Sequence, residues 1–205
     1  MLGLPQSTQV DRRIPKEKLY RNANLTPQVR DSIKDHIESI IWRNKLAEST
    51  LGVSSGETIE EIEVFEVQLR QKSVDKRVLS AIAQAIPYKI LFISTFSGEA
   101  QAWIEASDTF YNTAWFVLDD FTIRLEGLNL DSVYENLVRH IAGGRLNSEG
   151  DLADAVNRDK ERQKLEREIS ALEKKILHEK QFNRQVELNS ELIRLRTELK
   201  DLING

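Results

Sequence analysis

Residues 62–104 read IEVFEVQLRQKSVDKRVLSAIAQAIPYKILFISTFSGEAQAWI, and the periods inside this stretch decide the fold. Phe65, Val67 and Leu69 alternate with Glu66, Gln68 and Arg70, the period of two expected of a strand with one buried face. Ser73 then offers an N-cap and Asp75 a negative charge in the first turn, while Val74, Val78, Ile82 and Ile86 recur every fourth residue until Pro87 forbids continuation. That spacing predicts a helix of about three turns. Ile90–Ile93 is an unbroken apolar run, suited to a strand buried on both faces, and Ser97-Gly98 can turn it into a partner over Glu99–Glu105. Strand, helix and strand joined by loops this short predict a parallel crossover, with the helix covering one face of a small mixed sheet.

Upstream, Thr26-Pro27 starts a helix whose Val29, Ile33 and Ile37 share a stripe. The β-branched and aromatic content that follows favours a strand near Ser39–Leu46, with a loop over Thr50–Thr58. Downstream, Tyr111–Asp119 reads as a further strand and Phe121–Leu128 as a candidate last one. Asp119-Asp120 is read as the polar end of a strand and not as a metal pair, because consecutive strand residues point to opposite faces. Asn129 or Asp131 caps a short helix carrying Val133, Leu137 and Ile141 on one face, and Gly143-Gly144 ends it. The expected architecture is an α+β domain over residues 1–144, a linker at 145–150, and a coiled-coil helix over 151–205.

From Asp151 to Ile203 there is no Gly or Pro. Leu165, Ile169, Leu172 and Ile176 step at heptad spacing, as do Leu188, Leu192, Leu195, Leu199 and Leu202. The two seams are out of phase, so residues 178–184 either let the seam drift around one helix or join two helical arms. With no turn residue there, one continuous helix is the favoured expectation. An exposed leucine seam needs a partner, which points to self-association or docking.

Composition excludes several classes. The chain has no cysteine, hence no disulfide and no thiolate metal site, and its three histidines fall in separate segments without ligand spacing. No apolar run approaches the length of a membrane span, and the first residues lack the pattern of a secretory signal, so a cytoplasmic protein is expected. Net charge is −4, and from Asp151 onward 12 Lys+Arg balance 12 Asp+Glu, so the acidic surplus belongs to the first domain. A phosphate-binding domain should show the opposite sign. One basic patch stands out. Arg12, Arg13, Lys16, Lys18 and Arg21 beside Tyr20 could grip a phosphate backbone, but interrupting acids favour an arm packed over the domain by Ile14, Leu19 and Tyr20.

The segments GLPQST, IESIIWRNKL, EVFEVQL, AIPYKILFI, LEGLNLDSVYENLVRHIAG and EKQFNRQVELNSELIRL together resemble an uncharacterised prokaryotic family, described as a domain of unknown function. Its genes tend to sit beside DNA methyltransferases and helicases of restriction-modification and phage-defence loci. The resemblance implies a setting and brings no catalytic residues. Three roles are then expected, in this order. The first is a non-catalytic adaptor that self-associates or binds a helicase or methyltransferase subunit, with no cofactor. The second is a nuclease, active or inactive, because helix, strand, strand, helix, strand is close to the order of restriction-endonuclease-like cores. Its Mg²⁺ site would draw on Glu38, Glu66, Gln68 and Lys72, although Gln68 stands where lysine is wanted and Lys72 is six residues from Glu66. The third is a nucleic-acid binder using the basic patch.

Overall fold

In chain order the computed structural model, which describes residues 2–22, 25–147 and 150–204, opens with β1 (Gln9–Ile14), α1 (Lys16–Asn22) and α2 (Pro27–His36). β2 (Ile37–Ala47), the one-turn α3 (Glu48–Leu51), β3 (Glu61–Leu69), α4 (Lys76–Gln84), β4 (Lys89–Phe96) and β5 (Glu99–Ala106) form the middle. β6 (Thr109–Asn112), β7 (Phe116–Val117), α5 (Leu130–Ala142), α6 (Leu152–His178) and α7 (Phe182–Asn204) complete the described strands and α-helices. Two compact units result, residues 1–144 and 145–205. The expected linker at 145–150 includes Ser148 and Glu149, which lie outside the described residues.

The first unit is α+β, with strands in the order β1-β2-β3-β4-β5-β6 and β7 paired to β5. β3 and β4 run parallel, Glu63 opposite Ile90 and Phe65 opposite Phe92, as the α4 crossover demands, and the other pairs are antiparallel. Alternation along the strands divides the core. Phe65, Val67, Leu69, Ile90, Phe92 and Trp103 pack with Ile33 of α2 and with Val78, Leu79 and Ile82 of α4. α5 packs against β3, β5 and β6, where Leu91, Ile93, Ala102 and Ile104 are buried on the alternate positions.

Local chemistry sets the element ends. The Thr26 hydroxyl accepts from Val29 N–H, and Pro27 occupies the first turn of α2. At the other end of that helix the Lys16 ammonium donates to the carbonyls of Ile33 and Ile37, satisfying acceptors the helix leaves open. The N-cap of α4 is Asp75, which accepts from Arg77 N–H at 3.0 Å. The helix therefore starts later than a Ser73 cap would place it. Expectation also failed at three other points. Of the arm expected over residues 11–21, the first part belongs to the edge strand Gln9–Ile14 on β2, while Ile14, Leu19 and Tyr20 do pack on the core. Tyr111–Asp119 contains the end of β6, then β7, then a 3-10 turn at Leu118–Asp120. Phe121–Leu128 forms no strand.

Asn129, not Asp131, caps α5. The Asp131 carboxylate instead gathers the N–H groups of Glu57 and Ile59 at 2.7 and 2.9 Å and the Thr58 hydroxyl at 2.9 Å. Burial opposes its ionisation, but the hydrogen bonds from Thr58, Glu57 and Ile59 prevail and hold its pKa below the ordinary value. A Cβ on Gly56 would lie 2.3 Å from the Asp131 carboxyl carbon, so glycine is what allows the loop to close on this anchor. Asp131→Ala is expected to cost about 1–3 kcal/mol in chemical denaturation; a loss below the error of the measurement would show that water replaces the carboxylate without cost.

In the second unit the expected continuous helix is broken into α6 and α7. Glu179 leaves α6 with extended backbone, and its carboxylate accepts from Lys180 and Gln181 N–H at 2.8 and 2.9 Å. Gln185 Nε2 closes the turn on the Glu179 carbonyl at 2.7 Å. The turn thus satisfies its backbone with side chains and needs neither Gly nor Pro. Leu165 and Ile169 pack on Leu192 and Leu195, with Leu172, Ile176, Leu199 and Leu202 against them. Arg196 pairs with Glu173 across the hairpin at 2.7 Å.

Candidate functional site

The strongest polar constellation of the first unit is made by two irregularities of pairing. The β2–β3 register shifts between Trp42 and Asn44, which leaves Arg43 as an extra residue and turns its side chain along the sheet face toward Glu66. The β1–β2 register shifts between Gln9 and Arg12, and Asp11 in that gap has φ 48°, a conformation Asp tolerates better than most residues. Asp11 is thereby brought to the same guanidinium.

Arg43 Nε and Nη2 both reach Glu66 Oε2 at 2.6 Å, and Nη1 reaches Asp11 Oδ1 at 2.8 Å. The other Glu66 oxygen accepts from Gln68 Nε2 at 3.0 Å and Thr95 Oγ1 at 3.1 Å. Ser39 Oγ donates in turn to Gln68 Oε1. Glu66 is 3% exposed, so this satisfaction is a condition of its burial. The hydrogen bond from Arg43 is the main cause that lowers the Asp11 pKa. Burial works against the Arg43 charge, yet Asp11 and Glu66 outweigh it and raise its pKa further. A cavity of about 160 Å³ opens beside Asp11, Arg43 and Asn44.

Of the residues considered for a Mg²⁺ site, Glu66 and Gln68 meet here and the other two do not. Lys72 pairs with Glu99 at 2.6 Å and lies over the Trp115 ring at 5.2 Å. Glu38 is exposed on β2, beyond Ser39. Arg43, which joins the acids, carried no periodic signal because a bulge places it. Among the described residues no group of three or more His, Cys, Asp or Glu is arranged to hold a metal ion.

The basic patch is distributed over two elements. Arg12 and Arg13 lie exposed on edge strand β1, Lys18 and Arg21 are exposed on α1, and Lys16 is committed to carbonyls at the end of α2. The leucine seam expected to bind a partner is consumed inside the hairpin: Leu165, Ile169, Leu188, Leu192 and Leu195 are all at most 9% exposed. Other apolar residues of the unit remain open, Leu177 at 81%, Phe182 at 76%, Val186 at 50% and Ile193 at 66%.

A second acidic centre was missed. Glu61 and Glu63 share one face of β3, and Lys45 pairs with Glu61. Burial, with the neighbouring Glu61, pushes the Glu63 carboxyl up to about 8. Desolvation opposes the ionisation of Glu61, but Glu63 and Lys45 lower its pKa by hydrogen bonding. The folded state therefore keeps a proton on Glu63 that the unfolded chain releases near the ordinary carboxylate value. Its stabilising effect is complete below that value and is lost as pH rises through about 8. Wild-type stability is expected to fall by on the order of 3 kcal/mol between about pH 5 and pH 9 from this group, and Glu63→Gln should flatten the slope. Equal slopes in denaturation curves of the two proteins would contradict the assignment.

Residues 2–199 match the family described as Domain of unknown function (DUF4391). No curated protein and no solved structure matches the chain. Among the described residues no helix is long and apolar enough to cross a membrane.

Proposed function

The chain belongs to the DUF4391 family, and from that premise we propose that it is a non-catalytic interaction subunit which docks a partner protein through the outer face of its C-terminal hairpin. One observation carries the reading: the hairpin buries its own seam and still exposes Phe182, Val186 and Ile193. These residues step by four and seven along α7, so they form one stripe, on the side of the helix away from Leu188, Leu192 and Leu195. Apolar side chains open to this extent along three turns of one helix suit a protein groove. The balanced charge of the segment, with Arg184 and Glu187 of opposite sign beside the stripe, does not suit a phosphate backbone.

The partner we favour is a helicase or methyltransferase subunit of a DNA-modification or phage-defence complex in the cytoplasm, the setting the family resemblance implies. The expected self-association through the leucine seam is replaced in this reading by docking through the opposite stripe.

The nuclease reading is weakened by Arg43, whose guanidinium occupies the position between Asp11 and Glu66 that a divalent cation would need. The purified full chain with Mg²⁺ and duplex DNA should show no cleavage. Cleavage that disappears in Glu66→Gln would overturn the non-catalytic assignment, and salt-sensitive DNA binding lost on replacing Arg12, Arg13, Lys18 and Arg21 by Gln would favour the nucleic-acid reading.

A further inference from the structure

At the end of the sheet where β3 and β4 begin and β5 ends lies a cavity of about 320 Å³, the size of a small-ligand site. Its lining residues include the aromatic Tyr88 and Tyr134 and the acidic Glu60, Glu61 and Glu105. Among the described residues the only basic one in the lining is Lys89, and its ammonium already lies 5.6 Å from the centre of the Tyr134 ring. That contact shows what this wall attracts, since the face of an aromatic ring carries negative potential.

The charge around the cavity is also unbalanced. Glu57, Glu60, Glu61 and Glu105 line it against the one ammonium of Lys89, and of these acids Glu61 is paired with Lys45. Burial, with Asp108 nearby, raises the Glu105 carboxyl pKa against the opposing effect of Lys89. The acidic lining residues outnumber Lys89, which disfavours an anion, and among the described residues no carboxylates converge as metal ligands. A cation with an apolar stem answers both the rings and the acids.

We propose that this cavity binds an organic cation, an alkylammonium or guanidinium group on a short aliphatic stem, with its charge beside Glu60 and Glu105 and its stem against Tyr88 and Tyr134. The site is separate from the hairpin stripe and does not depend on it. Two sources share this chemistry, a free amine and a basic side chain of another protein.

The test is an NMR titration of the full-length protein with agmatine, and in a second arm with the peptide Gly-Gly-Arg-Gly-Gly, each against sodium chloride at equal ionic strength. Saturable shifts confined to Tyr88–Ile90, Glu105 and Tyr134 are expected, and Glu60→Gln/Glu105→Gln should weaken them at least tenfold while leaving the spectrum otherwise intact. Binding of agmatine identifies a free amine as a sufficient ligand, and binding of the peptide alone identifies a presented side chain; either supports the site. Absence of saturable shifts with both probes, or equal affinity in the double variant, would overturn it.

Discussion

Arg43→Ala is expected to destabilise the first unit by about 3–5 kcal/mol, the cost of leaving a buried carboxylate without its partner. Glu66 is enclosed, and both contacts to its Oε2 come from Arg43. Gln68 and Thr95 cover the other oxygen and cannot neutralise the charge. Asp11 loses the same cation but is exposed, and water replaces the loss there. The double variant Arg43→Met/Glu66→Met should recover most of the stability, because replacing a whole buried pair by apolar groups is close to neutral. Urea denaturation of the three proteins reads this directly. A loss under about 1 kcal/mol in Arg43→Ala would mean that the carboxylate is solvated and the constellation is not part of the core.

Leu192→Asp is expected to melt the hairpin as a unit. Leu192 is 7% exposed and packs with Leu165, Ile169 and Leu195. Truncating such a leucine alone costs about 2–5 kcal/mol, and a carboxylate in its place adds desolvation. Helices in proteins draw most of their stability from packing an apolar face, and these two arms pack theirs on each other, so neither arm should survive the loss of the other. The two arms hold 27 and 23 residues, more than the five other described α-helices together. Circular dichroism should therefore lose more than half of its helical signal, while the thermal transition of the sheet unit persists. Leu177→Asp, at a position 81% exposed, should leave both unchanged. Retained helicity in Leu192→Asp would show that the seam is not what holds the arms together.

What was legible in the sequence was periodic. Residues 62–104 carry both periods, two in Phe65, Val67 and Leu69 and near four in Val78, Ile82 and Ile86, and the elements they announce are present as β3, α4, β4 and β5. What was illegible depends on contacts between distant residues. β1 holds only Val10 and Ile14 as apolar residues and is a strand because β2 lies beside it. Asp75 displaces Ser73 as a cap through a choice of local geometry that composition does not distinguish. The break at Glu179 has no glycine or proline, because a carboxylate and a glutamine amide replace them. The phase shift between the two leucine series is the visible trace of that break, which the absence of a turn residue conceals. Of the polar constellation, Glu66 and Gln68 stood out by alternation, while Asp11 and Arg43 reach them only through two register shifts.

The docking account stands most directly on what accompanies the protein in its own cells. Full-length protein should be recovered from them with a stoichiometric partner, which should be absent when Phe182, Val186 and Ile193 are replaced by Gln. Glutamine is a good helix former, and these positions are at least 50% exposed, so the hairpin should keep its helicity. Loss of the partner with helicity unchanged is the expected result. Equal recovery of the partner by both proteins would contradict docking through the outer face of α7.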